Sequence, residues 1–169
     1  RRLGVAPLDL LVLSHRDTDH VGGARAVLAG VGALDLRSSL EVAHPLRLAR
    51  PHTPCLAGQR WRWDGVDFEF LHPTERDYQR HAAGHLRPNG VSCVLRIDNG
   101  RRSALLTGDV EQPQEFDLLA RSAPQLRADV LLVPHHGSRS SSSDAFLAAV
   151  APRWAAIQVG YRSRFGHPH

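Results

Sequence analysis

Apolar positions fall in short runs separated by polar turns, and the runs are of several kinds. Residues 8–13 and 128–133 are near-continuous apolar stretches of strand length, the pattern of strands buried on both faces. Residues 40–43 and 154–159 predict two more strands. Residues 61–71 alternate apolar and polar around Asp64-Gly65, and residues 92–97 and 103–107 flank Asp98-Asn99-Gly100, so each predicts a hairpin. Residues 24–28, 111–121 and 144–150 have the spacing of short helices, the last with Asp144 as candidate N-cap. Residues 75–89 are polar, carry His81, His85 and Pro88, and predict a loop, as do residues 160–169. This order of strands, helices and hairpins predicts an α/β sandwich with both hairpins and crossovers.

Composition narrows the picture. No linker or internal repeat divides the 169 residues, so a single domain over 1–169 is expected. A 42% hydrophobic and 22% charged content excludes wholesale disorder. No apolar run approaches the about 18 residues of a membrane helix, and no signal-peptide pattern opens the chain. Residue 1 is Arg and no Met occurs, so a piece of a longer polypeptide is expected. The 21 basic residues, all Arg, exceed the 17 acidic ones by four, which permits nucleic-acid contact without requiring it. Cys55 and Cys93 match neither a disulfide framework nor a CxxC metal site and are expected to be unrelated thiols. Histidine is the residue in excess, at 11 of 169.

Those histidines cluster where apolar runs end. After residues 8–13 comes Ser14-His15-Arg16-Asp17-Thr18-Asp19-His20, with two imidazoles and two carboxylates in six residues. Such groups ligate Zn²⁺, Mn²⁺ or Fe, and a tight loop at a strand end lets them converge. Asp109 ends Leu105-Leu106-Thr107-Gly108-Asp109 and is suited to bridge two ions; a turn or cap Asp is the plainer alternative. His135 and His136 follow Val133-Pro134 and precede Gly137-Ser138. His167 and His169 lie in Phe165-Gly166-His167-Pro168-His169. Three strand ends that each deliver acid or imidazole groups predict a dinuclear hydrolase site.

Together, the H-x-D-x-D-H motif at His15–His20, L-L-T-G-D at 105–109, V-P-H-H-G-S at 133–138 and G-H-P-H at 166–169 resemble the metallo-β-lactamase superfamily, more narrowly the soluble domain of ComEC-type DNA-uptake proteins. The resemblance covers about Leu8 to His169. It implies a four-layered αββα sandwich, with the family's first strands absent from this chain. It implies two divalent ions, Mn²⁺ or Zn²⁺, with His15 and Asp17 on the first, Asp19, His20 and His136 on the second, and Asp109 bridging. Asp17 stands where most of the superfamily has His. The first site's third ligand has no clear match; Asn89, Ser92, His81 and His85 lie in the region. By the same resemblance, Asp19 orients water, and His135, His167 and His169 are catalytic candidates for proton transfer. Ser138, Arg139 and Ser140 are candidate phosphate contacts, and Arg16, Arg162 and Arg164 candidate contacts to the nucleic-acid backbone near the site; a flexible loop capped by Asp144 and solvated surface Arg are the plainer alternatives.

The expected activity is hydrolysis of DNA by a metal-dependent phosphodiesterase, degrading the non-imported strand during natural transformation. Expected partners are DNA, as a single strand, and the rest of a polytopic inner-membrane channel protein in cis. The expected location of the domain is extracytoplasmic, with a cytoplasmic stand-alone hydrolase as the alternative. Two other functions compete: hydrolysis of another phosphodiester such as a phosphorylcholine ester, and a non-catalytic module that guides DNA.

Overall fold

The computed structural model describes residues 6–48, 51–163 and 165–169. Two sheets form. In the first, β1 (Leu8–Leu13) runs parallel to β2 (Ala33–Ser38), and β2 parallel to the short β3 (Thr53–Pro54). In the second, β4 (Arg60–Trp63), β5 (Val66–His72), β6 (Val94–Asp98), β7 (Ser103–Leu106), β8 (Val130–Leu132) and β9 (Trp154–Ala156) lie side by side in chain order. The β4–β7 pairings are antiparallel and the β7–β8–β9 pairings parallel. Hairpins therefore build one half of this sheet and crossovers the other.

The two-residue period of a strand sorts the apolar side chains into layers. Leu11 and Leu13 of β1 pack with Leu36, and with Ala24 and Leu28 of α2 (Ala24–Gly30), on the outer face of the first sheet. Val12, between them, joins Phe70, Leu95 and Leu106 in the layer between the sheets. The neighbours of those three, Leu71, Val94 and Leu105, point the opposite way. They meet Leu118 and Leu126 of α5 (Gln112–Leu126) and Phe146 and Val150 of α6 (Asp144–Val150). The result is helix, sheet, sheet, helix. Leu36, Phe70, Leu118 and Phe146 are fully buried, each burial worth about 1.5–3 kcal/mol.

Several expectations need correction. Residues 40–43 are not a strand: Leu40 plugs the first cluster from the irregular segment after β2, and the strand lies upstream in Ala33–Ser38, where buried Leu36 and Ser38 alternate with the less buried Asp35 and Arg37. The 75–89 loop contains α4 (Glu75–Ala82). Its start is a capping box: Asp77 N–H donates to Thr74 Oγ1, and Thr74 N–H to Asp77 Oδ2 at 2.8 Å. The remainder includes a 3₁₀ turn at Pro88–Val91. Two four-residue helices, α1 (Thr18–Val21) and α3 (Pro45–Leu48), were not expected. The cap of α6 is Ser143, whose side chain accepts from Phe146 N–H, and not Asp144. Cys55 and Cys93 are not separate thiols. They form a disulfide with Cα atoms 5.9 Å apart, joining the end of the β3 segment to the entry of β6.

Candidate metal centre

Three loops leave the carboxyl ends of β1, β7 and β8 and meet at one point. The β1 loop carries His15, Asp17, Asp19 and His20; Asp17 precedes α1 and supplies the turn that brings Asp19 and His20 back. The β7 loop delivers Asp109, largely buried. The β8 loop carries His135 (φ 48°, ψ 45°) and His136 (φ 56°, ψ 23°), consecutive histidines in the left-handed region. That backbone costs about 1–3 kcal/mol per residue and is kept where a site needs the side-chain direction it gives.

Among the described residues, Asp19, His20, Asp109 and His136 each offer a ligand atom, all within 4.8 Å of one another. His20 Nε2 lies 3.2 Å from Asp109 Oδ1. His136 Nε2 lies 3.2 Å from Asp19 Oδ2 and 3.5 Å from Asp109 Oδ2. His15 Nε2 is 3.6 Å from Asp17 Oδ2 and 3.8 Å from Asp109 Oδ2. Asp109 thus turns Oδ1 to His20 and Oδ2 to both His136 and His15.

The residues fit divalent ions. His15 is fully buried, and its Nε2 has no hydrogen-bond partner among the described residues. An orphaned buried nitrogen costs about 1–3 kcal/mol, a cost that a coordinated cation removes. His136 Nδ1 meets the Gln158 carbonyl at 2.7 Å. A carbonyl only accepts, so Nδ1 carries a proton, and the tautomer this favours turns the Nε2 lone pair inward.

The charges respond to this crowding. Burial, followed by the charge of His20, lowers His15 to about 4 against the pull of Asp109, Asp17 and Asp19. Burial would also lower His20, but the hydrogen bond and charge of Asp109, with Asp19 and Asp17, raise it above its ordinary value. Burial would raise Asp109, yet His20, His15 and His136 hold it below the usual carboxylate range.

The remaining sequence candidates divide. His135 sits at the edge of the cluster, with Nε2 4.0 Å from Asp109 Oδ2 and 3.5 Å from Asn89 Nδ2. Its Nδ1 faces Ser140 Oγ at 3.2 Å and Glu111 Oε1 at 3.4 Å. Ser140 Oγ–H donates to Glu111 Oε1 at 2.7 Å, so this hydroxyl belongs to a His135–Ser140–Glu111 chain and is not open to a phosphate. Ser138 Oγ lies beside it at 3.1 Å, and Arg139 is exposed. Further along the serine run, Ser142 and Ser143 N–H groups donate to the buried Glu115 carboxylate. The run is therefore a tied turn and not a flexible loop. His167 packs near His135 and His136, with ring centroids 5.8 and 6.4 Å away, and His169 lies 5.3 Å from it. Desolvation, then the charges of His135, His169 and His136, lower His167.

Other candidates stay away from the cluster. His81 binds the Leu86 carbonyl and Glu41, and His85 is exposed. Arg16 pairs with Glu41 at 2.8 Å. Arg162 lies over the Tyr161 ring, and Arg164 falls outside the described residues. Arg162 does border the 650 Å³ cleft that opens from Asp19, His20 and His136 past Tyr161, Phe165 and His167. Ser14, Gln158 and Glu111 touch site histidines and had no assigned role; only Ser14, inside the motif, carried a signal in its position.

Comparison with known proteins agrees with this architecture. A family profile described as the metallo-beta-lactamase superfamily matches residues 1–160. Competence protein ComA of Neisseria gonorrhoeae is 42% identical over 98% of this chain, and Recombination protein 2 of Haemophilus influenzae is 36% identical over 96%. This chain spans about a fifth of either relative, 22% and 19% of their lengths. The solved structure of CmlA, a diiron β-hydroxylase from Streptomyces venezuelae, superposes with a TM-score of 0.58 at 14% identity, covering 88% of this chain and 35% of that one.

Proposed function

The chain belongs to the metallo-β-lactamase superfamily, and on that premise we propose that it is a divalent-metal-dependent phosphodiesterase that hydrolyses DNA. In this reading it degrades the strand that is not imported during natural transformation, as the soluble domain of a polytopic membrane channel. The observation that carries the chemistry is the convergence of Asp19, His20, Asp109 and His136 within 4.8 Å. The substrate class rests on the similarity to ComA and Recombination protein 2.

Asp19, His20, Asp109 and His136 would hold one ion, and His15, Asp17 and Asp109 another. Ions bound there supply Lewis-acid polarisation of a phosphate and a more acidic water. Three imidazoles matched by three carboxylates suit Zn²⁺, and the oxygen-rich first site suits Mn²⁺. The protein's own groups do the rest. Asp19, mostly exposed, orients the attacking water. His167 Nδ1, buried and without a partner among the described residues, transfers a proton at the reacting centre, with His169 and His135 beside it. Ser138 and Arg139 contact non-bridging phosphate oxygens, while Ser140 and Glu111 orient His135.

Among the described residues no helix is long and apolar enough to cross a membrane. The Cys55–Cys93 disulfide supports an oxidising, extracytoplasmic setting, because such bonds persist there and are rare in the cytosol.

The test is incubation of the purified chain with a single-stranded oligonucleotide and Mn²⁺ or Zn²⁺, with a small aryl phosphodiester in parallel. Cleavage of the oligonucleotide, lost in Asp17→Ala and Asp109→Ala, is expected. Turnover of the small diester alone would point to another phosphodiester substrate. DNA retention without cleavage of either would point to a guiding module.

A further inference from the structure

The back of the metal centre is built from three chain segments that touch at one place. Ser14, at the end of β1, sets its Oγ 3.1 Å from His15 Nδ1 and 3.0 Å from His20 Nδ1. Ser92, fully buried before β6, sets its Oγ 3.2 Å from the same His15 Nδ1 and accepts from Asp109 N–H at 3.2 Å. Gly108 (φ 54°) closes the triangle: a Cβ there would lie 2.9 Å from Ser14 Cβ and 3.0 Å from Ser92 Cβ. Two hydroxyls thus touch Nδ1 of both β1-loop imidazoles and the backbone of the bridging carboxylate.

The disulfide is attached to this junction. Cys93 follows Ser92, and its N–H donates to Ser14 O at 2.9 Å. Its partner Cys55 is held to the first sheet, Cys55 N–H donating to Ser38 O at 3.0 Å. The covalent link therefore ties the edge of one sheet to the residue next to Ser92 in the other.

We infer that Ser14 and Ser92 are positioning residues for the metal centre, and that the Cys55–Cys93 disulfide acts through Ser92 to hold His15 in its ligating orientation. The serine oxygens accept the Nδ1–H of His15 and His20, which leaves each Nε2 lone pair for the ion on its own side. Without the link, only hydrogen bonds hold the Ser92 segment to the first sheet, His15 is held less firmly in its orientation, and ion binding weakens. This inference rests on the metal-binding reading, but on neither DNA as substrate nor activity.

The experiment measures Mn²⁺ affinity from the electron paramagnetic resonance signal of the free ion. It compares the oxidised chain, the chain reduced with a phosphine, Ser14→Ala, Ser92→Ala, Cys55→Ala/Cys93→Ala and the triple variant with Ser92→Ala, each checked for folding by circular dichroism. Ser14→Ala, Ser92→Ala and loss of the disulfide are each expected to weaken binding by about tenfold or more, the range of lost outer-shell partners. Because the disulfide acts through Ser92, the triple variant should bind no more weakly than the disulfide variant. Unchanged affinity in the folded Ser92→Ala and reduced proteins, or fully additive losses, overturns the inference. An unaltered chain that binds no Mn²⁺ or Zn²⁺ overturns the metal-binding reading itself. Should the cysteine variant not fold, the reduced protein and Ser92→Ala decide the matter.

Discussion

His20 Nε2 and His136 Nε2 face each other across 3.3 Å. His136 has its proton on Nδ1, committed to the Gln158 carbonyl, and His20 Nδ1 is against Ser14 Oγ. With both rings neutral, two lone pairs would oppose each other beside Asp109 Oδ1. Against burial, the hydrogen bond and charge of Asp109 raise the proton affinity of His20, which lessens this opposition. A divalent cation relieves it with ligand bonds. Adding Mn²⁺ or Zn²⁺ should therefore raise the melting temperature and a chelator should reverse it, with about 2.7 kcal/mol of stabilisation at a hundredfold excess over Kd. Calorimetric melting checks this.

Removal of Asp109 or His136 should be more damaging than removal of any outer partner. Asp109→Ala and His136→Ala are expected to lower hydrolysis by at least about a hundredfold, beyond the about 10–100-fold effect of outer-shell changes. Steady-state kinetics at saturating ion separates the two classes.

Gly108→Ala combines an unfavourable φ with a Cβ too close to Ser14 and Ser92. It should cost about 1–3 kcal/mol and reduce ion affinity as well. Gly100→Ala, also at positive φ but with open space around it, should cost stability while leaving ion affinity unchanged. Denaturant melts and ion titrations on both variants make the comparison.

Acid should weaken the ion-free fold. Burial lowers His15 to about 4 and His72 below its ordinary 6.5, with Asp77 and the Gly90 carbonyl opposing the shift of His72. A depressed histidine leaves stability intact above 6.5 and removes it as pH falls toward the folded value, here about 4 for His15. His20, raised, offsets part of this. Melting in chelator across that window should show a falling midpoint, and His72→Gln, which cannot titrate, should flatten the slope.

Much of this was legible in the chain. β1 was readable because an apolar run ends abruptly in four ligand-type residues, and the β7 and β8 loops repeat that form. The family resemblance drawn from those motifs agrees with the profile match over residues 1–160. The helix at Glu75–Ala82 was hidden because almost all its side chains are polar; its one local signal was the Thr74–Asp77 box. Leu40 misled because it is buried from an irregular segment. The disulfide could not be read because Cys55 and Cys93 stand 38 residues apart and meet only when the two sheets pack. Ser92 is linked to His15 across 77 positions for the same reason. Ser140 reads as a phosphate contact in the sequence, but in the structure its hydroxyl donates a hydrogen bond to Glu111, at the start of α5.

Anomalous scattering from crystals grown with Mn²⁺ shows whether these loops form a dinuclear metal site. Two peaks are predicted, one among Asp19, His20, Asp109 and His136 and one beside His15 and Asp17, with Asp109 between them. No peak within bonding distance of His20 and His136 Nε2 atoms, or ions bound only elsewhere on the surface, would contradict it.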